Sequence, residues 1–101
     1  MIQSSLSKEQ DIIIAANSEE YDFLKLAEEC TELSEVLIKM VTKPNRREER
    51  IPHLIEEMGD VKMRLEILMR RMGVFIEVGS RASTKLKKLA KDAVDKKYPS
   101  Y

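Results

Sequence analysis

Residues 25–39, KLAEECTELSEVLIK, and residues 56–64, EEMGDVKMR, decide how this chain is read. Each stretch holds two acidic residues three apart, Glu29 with Glu32 and Glu57 with Asp60. Positions i and i+3 share a helical face, so each pair projects its carboxylates to one side. Apolar residues around them alternate in steps of three and four. Phe23, Leu26, Cys30, Leu33, Leu37 and Met40 do so in the first segment, and Leu54, Met58, Val61, Leu65, Leu68 and Met72 in the second. That period marks a helix with a core-facing stripe. Glu29 and Glu32 stand one residue before Cys30 and Leu33, and Glu57 and Asp60 one residue before Met58 and Val61, so the two pairs share a register. Packed antiparallel through these stripes, the helices would bring four carboxylates to corresponding flanks of a bundle wall. Such a cluster repels itself unless a cation sits in it. The plainer reading is a solvated face: 18 acidic and 18 basic residues in 101 make acidic pairs ordinary. The shared register is what favours a site.

The remaining chain reads as helices separated by clear punctuation. Ser7-Lys8-Glu9-Gln10 has the form of a capping box opening a short helix through Ile12, Ile13, Ile14 and Ala16. Asn17 or Ser18 caps a long second helix that runs to about Thr42, with acids in its first turn. Pro44 ends it, and the segment through Arg50 reads as a charged loop able to form a lip over a phosphate. Pro52 suits the first turn of a third helix, with His53 beside it, which stops at Gly73. A metal histidine needs partners, and none is evident near His53. Gly59 interrupts this helix either for close packing or to make room beside Asp60. The fourth helix spans about residues 75–97, with Ile76, Gly79, Ala82, Leu86, Leu89 and Ala93 as its inner line and Arg81, Lys85 and Lys88 on a basic flank. Residues 1–6 and 98–101 are expected to be flexible ends of a single domain, 1–101.

Composition narrows the functional class. A formal net charge of zero argues against a dedicated nucleic-acid binder. No apolar run approaches the roughly 20 residues of a membrane span, and residues 1–7 lack a secretory signal, so the cytoplasm is the default location. Cys30 is the only cysteine and falls on the core stripe, which reads as a buried thiol. Leu24, Val36 and Ile38, with Met63, Ile67 and Met69, lie outside the stripes and give both helices apolar surface beyond what one neighbour covers, the mark of self-association.

Glu28-Glu29-Cys30-Thr31-Glu32, followed beyond residues 33–56 by Glu57-Met58-Gly59-Asp60, resembles the EExxE and ExxD signature of the all-α nucleoside triphosphate pyrophosphohydrolases, the MazG-like group. The apolar and small positions of KLAEECTEL and EEMGDV are also similar to that group, and the resemblance covers roughly residues 25–88. It implies an all-α, four-helix bundle-like fold completed by homo-oligomerisation, as a homodimer or homotetramer. It implies hydrolysis of a ribo- or deoxynucleoside triphosphate between the α and β phosphates, giving the monophosphate and pyrophosphate. By this resemblance Glu29, Glu32, Glu57 and Asp60 are metal ligands for Mg²⁺, with Mn²⁺ as a substitute, and Glu28 supports the catalytic site. Lys25 matches a lysine ahead of the first motif, and Lys85 and Lys88 match basic residues on the last helix, all three as substrate-phosphate contacts. Arg64, one turn beyond Asp60, and Arg81 are added on helical geometry. The chain has no tryptophan and no obvious asparagine in the last helix, features that some relatives use around substrate, so base selectivity stays open. Phosphoribosyl-ATP pyrophosphohydrolase is the neighbouring alternative. A non-catalytic helical interaction or assembly protein is the alternative from another class; loss of a motif acid would favour it, and none is lost.

Overall fold

The computed structural model describes residues 6–95, which form four α-helices: α1 (Ser7–Ala16), α2 (Glu19–Thr42), α3 (Arg47–Met72) and α4 (Phe75–Val94), with a 3-10 turn at Pro44–Arg46. The all-α expectation holds. No strand occurs among the described residues, and no helix is long and apolar enough to cross a membrane. The expectations for residues 1–5 and 96–101 lie outside the described residues.

Two of the anticipated helix ends form as their residues dictate. Ser18 caps α2 by accepting from the Tyr21 backbone N–H at 3.1 Å, and Glu19, Glu20 and Asp22 follow where the helix dipole favours acids. Gly73 closes α3 in the left-handed region at φ 66°. Its N–H donates to the Arg70 carbonyl and that of Val74 to the Met69 carbonyl, at 3.2 and 3.1 Å. Two other ends differ. Ser7 is the first helical residue of α1, after Leu6, and makes no capping bond, so the capping box does not form. α3 begins at Arg47 and carries Pro52 inside it. The carbonyl that Pro52 cannot serve belongs to Glu48, in an exposed first turn where water can reach it.

The charged segment is correspondingly a helical turn and the start of α3, and two of its arginines are engaged. Arg47 donates from Nε and a terminal nitrogen to the Met40 carbonyl at 3.3 and 3.1 Å, and Arg50 donates to the Lys43 carbonyl at 2.6 Å. These guanidinium groups occupy the carbonyls left open at the end of α2 and fold α3 back along it.

The α2/α3 hairpin is antiparallel, since Arg50 joins the end of α2 to the start of α3 while Arg71 joins the end of α3 to Asp22 at the start of α2. Its seam is rotated from the apolar stripes. Val36 at 4% and Ile67 at 3% exposure are the buried apolar residues, although both fall outside the stripes read from sequence. Phe23, Cys30 and Leu37 on α2, and Met58, Leu65 and Met72 on α3, are exposed. The other edge of each stripe, Leu26, Leu33 and Met40 with Leu54, Val61 and Leu68, is half-buried, and beside it run the heptad-spaced lines Asp22, Glu29 and Val36 on one helix and Glu57, Arg64 and Arg71 on the other. Cys30 is therefore a surface thiol. Gly59 is not squeezed, because a Cβ there would meet nothing within 4 Å; it borders an open groove of about 280 Å³ between α1 and α3.

Ion pairs do much of the docking. Asp22 is 1% exposed and accepts from Arg71 Nε at 2.6 Å, while the Arg71 terminal nitrogen donates to the Ile14 and Asn17 carbonyls at 2.7 and 2.8 Å. One guanidinium thus ties the α1–α2 connection to the far end of α3. Asp11 on α1 accepts two bonds from Arg70, at 2.6 and 2.9 Å.

α4 buries no residue. Its anticipated inner line faces outward, with Leu86 68% exposed. The chain consequently exposes 8217 Å², against about 5,900 Å² for a compact monomer of its mass. Its radius of gyration is 16.7 Å, against about 13 Å for a compact chain of this length.

Candidate metal centre

The middle of the hairpin seam is acidic. Glu29 on α2 and Glu57 and Asp60 on α3 each offer a carboxylate oxygen, and these oxygens all lie within 4.8 Å of one another. Helical spacing brings Glu57 and Asp60 to one face, and the fold-back at Arg47 and Arg50 sets that face against Glu29. Glu57 is 6% exposed. The acids thus lie in the seam and not on its flank, where the stripes placed them. Glu57 Oε2 and Glu29 Oε2 are buried and have no hydrogen-bond partner, although buried polar atoms are almost always paired.

The electrostatics agree with the geometry. Burial raises the Glu29 carboxyl above its ordinary value, and the charges of Glu32, Asp60 and Glu28 push it the same way. Glu32 is also raised, first by burial, then by the charges of Glu57 and Glu28 and by its close approach to Glu57. Glu32 therefore borders the cluster beside Glu57, outside the triad of closest approach. Glu28 stands off it, exposed, accepting from Lys25 Nζ at 3.4 Å.

Oxygens held about 2.0–2.1 Å from Mg²⁺ stand about 3–4 Å from one another, and those of the triad lie within 4.8 Å of one another. The donor set is oxygen only, which suits Mg²⁺ or Mn²⁺, and its orphaned oxygens are those a cation would satisfy.

Family models, curated proteins and solved structures offer no match to this chain.

Two basic residues gather at Tyr21. The Arg64 guanidinium lies 5.8 Å from the centroid of the Tyr21 ring and the Lys25 ammonium 5.6 Å from it, so the electron-rich ring attracts both cations. Arg64 Nε and one terminal nitrogen are buried without a hydrogen-bond partner, leaving donors for an anion. Lys85, Lys88 and Arg81 are exposed on α4, and none pairs with the acidic cluster among the described residues. Lys88 instead donates to Asp92 at 2.6 Å. Lys25 and Arg64 thus meet at Tyr21, while Lys85 and Lys88 stay exposed on α4.

Sequence reasoning passed over Tyr21, Asp22 and Arg71. One signal was present: Asp22 stands as many residues before Lys43 as Arg71 stands after Arg50, so opposite charges face each other once the turn is placed. His53 has a neighbour of its own. It lies in the second turn of α3, and its Nε2 is 3.2 Å from Glu57 Oε1.

Proposed function

We propose that this chain is a metal-dependent nucleoside triphosphate pyrophosphohydrolase of the MazG-like kind, cleaving between the α and β phosphates to give the monophosphate and pyrophosphate. The observation that carries the reading is the convergence of Glu29, Glu57 and Asp60, with Glu32 alongside, in a seam where two carboxylate oxygens lack any partner. An enzyme site needs charge arranged before substrate arrives, and four crowded carboxylates are a costly arrangement that a cation relieves. Bound Mg²⁺ or Mn²⁺ supplies positive charge against the phosphate oxygens and acidifies water.

The chain's own residues account for the rest. Glu29, Glu57 and Asp60 hold the cation, and Glu32 completes the set. Glu28, kept outside the cluster by Lys25, is placed to orient water and accept its proton. Arg64, with two buried unpaired nitrogens, and Lys25, near the same tyrosine ring, bind the phosphate oxygens as charge moves onto the leaving pyrophosphate. The test is pyrophosphate release from a panel of ribo- and deoxynucleoside triphosphates, run beside thermal melts. At a hundredfold excess over Kd, Mg²⁺ is expected to stabilise the fold by about 2.7 kcal/mol, a rise in Tm on the order of 10 °C. No release from any triphosphate with either ion, and no rise in Tm, would refute the reading.

The four-helix bundle belongs to an oligomer in this proposal. A face made of Phe23, Leu37, Met58 and Leu65, together with the unburied apolar line of α4, supports a second copy of the chain as the covering partner. Lys85 and Lys88 then act on the neighbouring chain's substrate. Light scattering at micromolar concentration is expected to give a homodimer or homotetramer. A monodisperse active species of 11.7 kDa would remove the interface from the proposal.

A further inference from the structure

Glu57 belongs to two clusters at once. Its carboxylate meets Glu29 and Asp60 on one side, and His53 and Glu56 on the other, each set with donor atoms within 4.8 Å of one another. His53, Glu56 and Glu57 occupy positions i, i+3 and i+4 of α3, so a single helical face presents one imidazole and two carboxylates. The His53 side chain is 57% exposed and the Glu57 side chain 8%, so the group has a solvent-facing mouth and a buried floor. Within the group Glu57 Oε1 rests on His53 Nε2 at 3.2 Å, and the other oxygen of the same buried carboxylate, Oε2, has no hydrogen-bond partner. Donors about 2.0–2.2 Å from a divalent ion are separated along one edge of a tetrahedron or octahedron by about 3.0–3.5 Å. The His53–Glu57 spacing is thus that of two neighbouring ligands as well as that of a hydrogen bond.

We propose that His53, Glu56 and Glu57 form a second cation position, joined to the oxygen-only triad through the shared Glu57 carboxylate and taking a late first-row divalent ion such as Co²⁺ or Zn²⁺ in preference to Mg²⁺. The preference follows from the donors. Imidazole nitrogen binds late transition ions far better than Mg²⁺, and affinity for a mixed nitrogen and oxygen set rises along the series toward them. The triad, lacking nitrogen, keeps the hard ion. One chain therefore sorts two kinds of cation at positions that share a ligand, and neither position depends on which reaction follows.

His53 is the only histidine, so its imidazole proton resonances are read without overlap, and Co²⁺ affinity in His53→Gln separates direct ligation from Co²⁺ bound at the adjoining triad. In buffer with excess Mg²⁺ to fill the triad, one equivalent of Co²⁺ is expected to shift or broaden those resonances strongly, whereas Mg²⁺ by itself leaves them in place. Calorimetry under the same conditions is expected to show Co²⁺ affinity at least tenfold weaker in His53→Gln and in Glu56→Gln, with the Mg²⁺-induced rise in Tm unchanged in both. Imidazole resonances untouched by Co²⁺, or wild-type Co²⁺ affinity in His53→Gln, would overturn the proposal. Co²⁺ on His53 with no Mg²⁺ response anywhere would support this position while refuting the Mg²⁺ triad of the proposed reaction.

Discussion

Replacing Arg71 by methionine is expected to cost about 3–5 kcal/mol of folding stability, because it leaves the Asp22 carboxylate charged in a site that is 1% exposed. The same change removes the donor to the Ile14 and Asn17 carbonyls. A domain of this size is typically stable by about 5–15 kcal/mol, so the variant should be partly unfolded near room temperature. Chemical denaturation of the wild type, Arg71→Met and the double variant Asp22→Leu with Arg71→Met measures the effect. The double variant is expected to recover most of the loss, since apolar replacement of both partners removes the stranded charge. A single variant as stable as wild type would mean that the pair does not hold the ends of α2 and α3 together.

Glu57→Gln and Asp60→Asn are expected to lower pyrophosphate release by about a thousandfold, equivalent to about 4 kcal/mol of transition-state stabilisation, since each removes a ligand from the proposed cation. Folding should survive, because the seam is held by Arg71, Arg47 and Arg50 and not by these acids. Near-normal turnover in either variant would contradict the metal assignment.

Stability without metal supplies a companion readout at Glu32. The Glu29 and Glu32 carboxyls titrate above their ordinary values in the folded chain, so folding favours their protonated forms. Their contribution is fully present below the ordinary glutamate value and is lost as pH rises through the raised folded values. In EDTA the wild type should accordingly gain stability from these groups on going from pH 7 toward pH 5. Asp11, lowered by its hydrogen bonds to Arg70, gives way only below the ordinary aspartate value, outside that window. Glu32→Gln should raise Tm at pH 7 and flatten the slope between pH 5 and pH 7. A lower Tm at pH 7 would show that the acids are not repelling one another.

Local order was legible in the residues themselves. Ser18 and Gly73 set the ends of α2 and α3 through bonds within a few residues, and the three- and four-residue steps of the apolar positions established helices on both sides of Pro44. The pairing of Glu29 with Glu32 and of Glu57 with Asp60 on common faces followed from helical period alone. What period cannot specify is which face meets the neighbouring helix. A helix with apolar residues on more than one side has several faces to bury, and Phe23, Cys30 and Leu37 looked as suitable for the seam as Val36. The choice was made over distances that sequence spacing does not encode. Arg47 and Arg50 close on the carbonyls at the end of α2, Arg71 reaches Asp22 at its start, and with both ends tied the line Asp22, Glu29 and Val36 must turn inward. Charge can occupy that seam because Asp22 is neutralised by Arg71. The same rotation carries Glu57 from a flank to the interior, leaves its Oε2 without a donor, and exposes one edge of each apolar stripe, Phe23, Cys30 and Leu37 on α2 and Met58, Leu65 and Met72 on α3.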